Sequence, residues 1–309
     1  MTTIEIISVN TSSEKGTVKI PVPVIDLTLN GIGGDAHAGN WHRQVSLLGT
    51  DSIKKMEVLL GYSLEPGAFA ENITTSGFPL FDMKPLDRLI SGELILEVTQ
   101  IGKECHGDRC AIFRETGECI MPKEGIFARV LEPGQLRPGD SLRYQPKVIR
   151  IGVITVSDRA SRGEYEDRSG PLVGKLLENH FSGIGRECAM EFVVVPDEAA
   201  PLEATILKMM AGRVDMIFTT GGTGLASRDI TPDVVRPLIE KEISGIMEMI
   251  RVKYGKDNPN ALLSRSIAGV TGNTLMYVLP GSTGAVKEYC AEIVRTLEHT
   301  LYMLHGLGH

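Results

Sequence analysis

"TTGGTGLASRDITPD", residues Thr219–Asp233, is the stretch on which the reading of the C-terminal half turns. The apolar residues Met216–Phe218 lead into it, and Val234 and Val235 come after it, so it sits between a strand and a helix start. Glycines let backbone N–H groups approach an anion without Cβ interference, and the N-terminus of a following helix adds partial positive charge. Thr231 is expected to cap that helix, with Pro232 at the first helical position. The Gly-Lys-Ser/Thr of a Walker loop and the G-x-G-x-x-G of a dinucleotide loop are both missing. Two readings stand side by side: a tight strand-to-helix corner, or a cradle for phosphate.

Working outward, the loop belongs to a regular alternation that begins at Val148. "VIRIGVITVSD", "MEFVVVPDE", "DMIFTTGG" and "TLMYVLPGS" read as strands, and "GPLVGKLLENHF", "PLEATILKMMAG", "PDVVRPLIEKEI" and "GAVKEYCAEIVRTLEHTLYML" as the helices between and after them. This pattern predicts a three-layer α/β domain with a mostly parallel sheet covered on both faces. The ligand crevice of such a sheet lies at the carboxyl ends of its strands. Polar and glycine residues gather there: Ser157, Asp158 and Arg159; Pro196, Asp197 and Glu198; Thr220, Gly221, Gly222, Thr223, Gly224, Arg228 and Asp229; Pro280, Gly281 and Ser282. Asp197 and Asp229 come after different strands yet are expected to face one crevice, where two carboxylates beside phosphate oxygens suit Mg²⁺. Taken singly, each is equally an ordinary helix-start or capping residue.

The preceding half has a different texture. "IEIISVN", "GTVKIPVPVIDLTL", "GELILEVTQIG" and "GDSLRYQ" are short β-rich segments between turn residues, and "TDSIKKMEVLLG" is the one clear helix. A mainly β, barrel-like domain with a few helices is predicted. "QPK", Gln145–Lys147, is the expected linker, which puts one domain at residues 1–145 and the other at 148–309.

Whole-chain quantities are consistent with two globular domains. The 309 residues include 42% hydrophobic and 23% charged, with a formal net charge of −7. No basic run offers a nucleic-acid footprint, so an anionic ligand must be held by local dipoles and a few placed cations. The start lacks a basic segment followed by an apolar one, and nothing approaches the roughly eighteen apolar residues of a membrane span. A soluble, cytoplasmic protein with no membrane partner is expected. Cys105, Cys110, Cys119, Cys188 and Cys290 form no secreted-type framework, which suits a reducing compartment. Cys105, His106, Cys110 and Cys119 crowd one segment. Inert buried thiols, a metal site with unusual spacing and a sulfur-carrying cysteine compete there.

"TVSDRASRGEYEDRSGP", "VVPDE", "TTGGTGLASRDITPD" and "LSRSIAGVTGNTLMYVLPGS" resemble, in order, the signatures of the Mog/MoaB family of molybdopterin-binding proteins, related to molybdopterin adenylyltransferases. The resemblance implies a reaction of molybdopterin with Mg-ATP to give adenylyl-molybdopterin and pyrophosphate. It carries catalytic roles to Asp197, Asp229 and Ser264, with Mg²⁺ binding at the two aspartates and pterin binding at Ser264. The nucleotide and pterin phosphate pocket falls on Ser157, Asp158, Thr220, Gly221, Gly222, Thr223, Gly224 and Pro280, Gly281, Ser282. Arg228, Arg265 and Arg159 are candidate sources of positive charge, and a homotrimer is implied.

"NGIGGDAHAG", "RQVSLL", "EPGAFAENITTSG", "VTQIGKEC" and "EGIFARVLEPGQLRPGD" resemble the MOSC domain. That resemblance implies a role for Cys105 as sulfur carrier or cofactor contact. Molybdenum cofactor is the implied ligand, other molybdenum cofactor enzymes the implied partners, and pyridoxal phosphate binding a family-level property. His37, Asn72 and Arg129 become pocket or packing residues. Glu104 replaces the proline usual before that cysteine, and a neighbouring carboxylate raises rather than lowers a thiol pKa. The two resemblances together imply a bifunctional molybdenum-cofactor protein. Its rivals are a non-catalytic carrier and a MOSC sulfur transferase with a docking C-terminal domain.

Overall fold

The computed structural model describes residues 2–103, 113 and 119–307. The chain divides into two compact units, Met1–Lys147 and Val148–His309. Among the described residues, no helix is long and apolar enough to cross a membrane.

The N-terminal unit is built on β1 (Thr3–Thr11), β2 (Ile20–Val22), β3 (Ile25–Thr28), β4 (Gly31–Ile32), β5 (Val45–Gly49), β6 (Ile73–Ser76), β7 (Arg88–Ser91), β8 (Leu94–Ile101), β9 (Ile126–Glu132), β10 (Gly134–Leu136) and β11 (Ser141–Gln145), with helix α1 at Thr50–Leu60. The main sheet runs β11-β7-β8-β9-β5-β6-β1-β2 and closes on itself because β1 also pairs with β11, Thr3 opposite Arg143. The result is a seven-stranded barrel with β2 appended. Closure spares the barrel an unpaired edge. Strands with alternating burial, such as β1, send Ile4, Ile6 and Val9 inward to meet Leu47, Ile73, Leu96 and Leu142. β5, β6, β7 and β9 lie in segments not singled out as strands from the sequence. All five residues of β5 are buried, so it carries no alternation to read.

In the C-terminal unit the strands are β12 (Ile149–Val156), β13 (Cys188–Val195), β14 (Met216–Thr220), β15 (Lys241–Glu242), β16 (Ala268–Thr271) and β17 (Thr274–Leu279), in the order β13-β12-β14-β17-β16-β15. The first four are parallel; β16 and β15 add an antiparallel margin. One face packs Ile151, Val153, Phe218 and Tyr277 against the helices Ser169–Gly183 and Thr283–Leu304. The other packs Ile154, Val156, Ile217 and Val278 against Ala199–Ala211. This is the predicted three-layer arrangement. One predicted helix is corrected: "PDVVRPLIEKEI" is helical only over Thr231–Val235, then forms a single tight turn at Arg236–Leu238 and the short β15. Pro237 supplies no backbone N–H and cannot continue the helix. The helix Ser244–Gly255 was not singled out from the sequence.

Candidate functional site

β12 is the first strand of its sheet, β13 lies on one side of it and β14 on the other, so the chain reverses direction across the sheet at β12. A crevice opens at such a switch point, outside the carboxyl ends of the strands. Three loops meet there. Gly221 has φ +106°, and a Cβ on it would stand 2.3 Å from the carbonyl oxygen of Val156, the last residue of β12. A Cβ on Gly281 would in turn lie 3.2 Å from the Gly221 Cα. Only a glycine at 221 lets the ends of β12, β14 and β17 come this close. Thr220 ties the second and third loops by donating from Oγ1 to the Pro280 carbonyl at 3.0 Å.

The glycine loop is held from below. Thr231 is the first residue of its helix rather than the cap, and its buried hydroxyl donates to the Gly221 carbonyl at 2.9 Å. Its amide donates to Gly222 O at 3.1 Å. The Asp229 carboxylate accepts from the Ala226 amide at 2.8 Å, a local capping role. Arg265 braces the same turn from outside: Nε donates to Gly224 O at 2.8 Å, a terminal nitrogen to Asp229 O, and the other terminal nitrogen contacts both oxygens of Asp233 at 2.9 Å. The Arg265 charge is therefore shared with Asp233 and its donors are spent on the loop. The loop carbonyls of Gly221, Gly222, Gly224 and Asp229 are engaged in these contacts, while the amides of Gly222, Thr223 and Gly224 have no protein acceptor among the described residues. Outward-facing amides on a loop at strand ends form an anion-binding concavity.

The other side of the crevice is a reciprocal carboxylate pair. The Asp158 amide donates to Asp197 Oδ2 at 2.9 Å, and the Asp197 amide to Asp158 Oδ1 at 3.0 Å. One oxygen of each carboxylate remains uncommitted. Ser157 Oγ accepts from Ala160 N at 3.3 Å and Ser282 Oγ from Ala285 N at 3.3 Å, so both serines cap helices. Ser282 opens the 22-residue helix Thr283–Leu304, whose first amides and macrodipole face the crevice end of β17. Arg228 is exposed and forms no ion pair with a described residue, and Arg159 lies over the Tyr165 ring at 5.5 Å.

Ser264 stands apart from these loops. Its hydroxyl is 2.8 Å from that of Ser266, and with Arg265, Arg251, Arg236 and Asp233 it lines a cavity of about 260 Å³. The Arg265 amide, bonded to Thr223 O at 3.0 Å, links this cavity to the glycine loop. Arg251 and Asp233 were not singled out for this site from the sequence. Arg251 reaches it from the helix Ser244–Gly255 and donates to Ser266 O at 3.0 Å, so it comes into place only when the segment before β16 folds back on the loop.

For Mg²⁺ the donors fit a shared site rather than a protein cage. Among the described residues no three acidic, histidine or cysteine side chains are grouped to hold a metal. Mg²⁺ commonly takes one or two carboxylates with the rest of its shell from water and phosphate, and Asp197 and Asp229 each offer one uncommitted oxygen.

In the N-terminal unit, Asp35 from the glycine-rich turn is fully buried and pairs with Lys19, itself 1% exposed. It also accepts from Asn72 Nδ2 at 2.9 Å, His37 N at 2.9 Å and Ser12 N at 3.2 Å. Burial pushes the Asp35 carboxyl up, but hydrogen bonds from His37 and Lys19 outweigh it and hold the group well below the usual carboxylate range. Glu71 accepts from Gly67 N, Phe69 N and Thr74 Oγ1, and burial nonetheless raises it. Asn72 is thus a packing residue of this network, and Arg129 pairs with Glu97 at 2.7 Å. Cys105, His106 and Cys110 lie outside the described residues; Cys119 is half-buried.

Comparison with known proteins places these two units. Residues 34–143 match the MOSC domain, and residues 152–299 match a domain described as probable molybdopterin binding. The chain is 36% identical over 161 residues to molybdenum cofactor biosynthesis protein B of Staphylococcus aureus, covering 51% of this chain and 93% of that one. It is 37% identical over 149 residues to a molybdopterin adenylyltransferase of Helicobacter pylori, covering 48% and 82%. To gephyrin of Dictyostelium discoideum it is 35% identical over 162 residues, half of this chain but only 22% of that protein's length. The chain belongs to the MoaB/Mog family of molybdopterin-binding, molybdenum-cofactor biosynthesis proteins, with a MOSC domain at its N-terminus.

Proposed function

We propose that residues 148–309 adenylylate molybdopterin with Mg-ATP, releasing pyrophosphate, and that residues 1–145 bind the cofactor or carry sulfur for it, with Cys105 as the contact. The observation that carries the first part is the row of unengaged amides at Gly222, Thr223 and Gly224, set at the junction of three strand ends. Attack of a terminal phosphate on the α-phosphorus of ATP asks the protein mainly for alignment and charge stabilisation. In this reading the loop amides hold one phosphate group. The start of helix Thr283–Leu304, with Ser282 and Gly281, holds another. Ser264 and its cavity take the pterin side. The free oxygens of Asp197 and Asp229 hold Mg²⁺, which neutralises phosphate charge. Arg228 adds a cation at the rim, and Arg265 keeps the loop in shape. Assembly as a homotrimer and delivery to other molybdenum cofactor enzymes belong to the same reading.

The test separates charge from shape. Asp229→Asn retains an oxygen to accept from Ala226 but removes the charge, whereas Asp229→Ala loses both. Pyrophosphate release from ATP, dependent on molybdopterin and Mg²⁺, is expected in the wild type and to fall about 10²-fold or more in Asp229→Asn, as when a charge-stabilising group is removed. Tight pterin binding without pyrophosphate release by the wild type sinks the enzyme reading and leaves a carrier.

A further inference from the structure

The cavity beside Ser264 carries a charge imbalance that the glycine-loop contacts do not account for. Arg236, Arg251 and Arg265 line it together with Asp233 and Glu242. Two of these cations are spent within the cavity wall: Arg236 pairs with Glu242 at 2.7 Å, and Arg265 with Asp233 at 2.9 Å. Arg251 is different. It is half-buried, gives a terminal N–H to Ser266 O at 3.0 Å, and forms no ion pair with a described residue. A guanidinium carries five donors in a rigid fork, so most of the hydrogen-bonding capacity of Arg251 is left for a ligand.

The surroundings of Arg251 decide which ligand chemistry fits. Met247 and Ile267, two other lining residues, are apolar and only 1% and 3% exposed. A tetrahedral oxyanion placed against them would lose its hydration without replacement and would also meet the Asp233 and Glu242 carboxylates. A flat, neutral heterocycle with a ring carbonyl avoids both costs. Its face covers the apolar residues and its carbonyl accepts from the guanidinium, the combination usual in small-molecule pockets. The Ser264 and Ser266 hydroxyls, 2.8 Å apart, can each donate or accept and so tolerate the N–H groups of such a ring.

Arg251 is also held in place before any ligand arrives. Two and three residues further along the same helix, Lys253 Nζ and Tyr254 Oη both donate to Glu292 Oε1 of the helix Thr283–Leu304, the tyrosine at 3.1 Å. Arg295 holds the other Glu292 oxygen at 3.0 Å, and Glu292 is 5% exposed. The helix Ser244–Gly255 cannot roll without breaking these contacts. Such preorganisation lowers the entropy lost on binding.

We infer that Arg251 is a specificity-determining residue of this cavity, donating to the ring carbonyl of a 2-amino-4-oxopteridine whose face rests on Met247 and Ile267. The inference rests on the reading of the cavity as the pterin side of the site, and adds which edge of the ring meets the protein. Selection then follows from donor and acceptor matching: a ring with an amino group in place of the carbonyl sets donor against donor and leaves Arg251 unmatched.

The test is calorimetric titration of the full-length protein with 6-hydroxymethylpterin and with its 2,4-diamino analogue, in which an amino group replaces the carbonyl. The wild type is expected to prefer the pterin by about tenfold or more, the usual worth of a hydrogen bond to a charged group. In Arg251→Met that preference should collapse to near unity through weaker pterin binding, with the analogue little changed; a merely structural role would weaken both rings alike. If Arg251→Met fails to fold, as its thermal unfolding will reveal, Arg251→Lys decides, because it keeps the charge but loses the fork and should lower the preference. Pyrophosphate release is measured on the same wild-type preparation. Release together with equal binding of the two rings overturns the Arg251 assignment and leaves adenylylation standing. A preference that collapses in the variant without any release sustains Arg251 and sinks adenylylation. No saturable binding of either ring, or a preference that persists in every folded variant, overturns the inference.

Discussion

The two units bury polarity in opposite ways. Around the C-terminal crevice the working groups are main-chain amides, short hydroxyls and half-buried carboxylates, and the one arginine that enters the loop is balanced by the exposed Asp233. Inside the barrel wall the polar groups are charged side chains, Lys19 and Asp35, packed with Asn10, Glu71 and Asn72 at or near zero exposure. Backbone amides are held in place by chain geometry and carry no net charge to desolvate, so they suit a site that must open to a large anionic ligand. A buried ion pair is costly to desolvate and costlier to break, so it suits a frame that must not move. The difference teaches where each unit is fragile: the barrel at a charge, the α/β unit at a Cβ.

The largest effect is therefore expected from Asp35→Asn. Leaving Lys19 buried without its counter-ion costs about 3–5 kcal/mol, seen as a lower unfolding midpoint of the N-terminal unit. The pH dependence comes from the depressed carboxyl. Its stabilisation is complete above the ordinary Asp pKa of about 3.9 and is lost as pH falls toward the lower folded value. The gap between wild type and variant should narrow steadily as pH falls below about 4; a gap that stays constant across the whole range would mean that the Asp35 charge is not its source.

Next comes Gly221→Ala, which tests whether the C-terminal site depends on the absence of a Cβ. A methyl at 2.3 Å from Val156 O with φ +106° should cost about 2–4 kcal/mol in the C-terminal unit through strain and overlap. Pterin binding that survives at full strength in a folded Gly221→Ala protein would break the claim that three strand ends meet there. The smallest effect is assigned to Ser282→Ala, which removes a helix cap and should cost about 1 kcal/mol. A larger loss of nucleotide affinity than of stability in this variant would sharpen the comparison, because it would mean that Ser282 serves the ligand beyond capping. Thiol reactivity offers a check without mutation. Burial pushes Cys290 up to about 12, so it should not react with a thiol reagent in the native protein at pH 8 before the unit opens, whereas half-buried Cys188, which burial also raises, should react more slowly than a free thiol.

The same contrast explains how much was legible in the chain. The glycine loop, the carboxylates after β12 and β13 and the caps before the last helix each occupy a few adjacent residues, so "TTGGTG", "VSD", "VVPDE" and "LPGS" could be read as parts of one crevice. The three-layer fold was legible because short apolar runs alternate with amphipathic helical stretches. Reading stopped where meaning depends on a distant partner. Thr231 looks like a cap and is instead a donor to Gly221 O. Arg265 reads as a charge beside the crevice, and its contacts to Asp233 and the loop carbonyls come from residues that its own neighbours do not announce. Ser264 belongs to a cavity whose other walls come from the helix at Ser244–Gly255 and the turn after Thr231–Val235.

In the barrel the limit came sooner. Short β-rich segments announced a barrel-like domain, yet nothing local in "TIEI" or "SLRYQ" says that Thr3 pairs with Arg143, or that Lys19 meets Asp35 across sixteen residues. Local composition was enough for element type, for the βα alternation and for a loop shaped to accept an anion, because these depend on backbone conformation over a few residues. Barrel closure and the buried ion pair depended on which strands lie side by side. Burial and Coulomb energies are set by distances in space, and residues far apart in the chain acquire those distances only when the sheet closes.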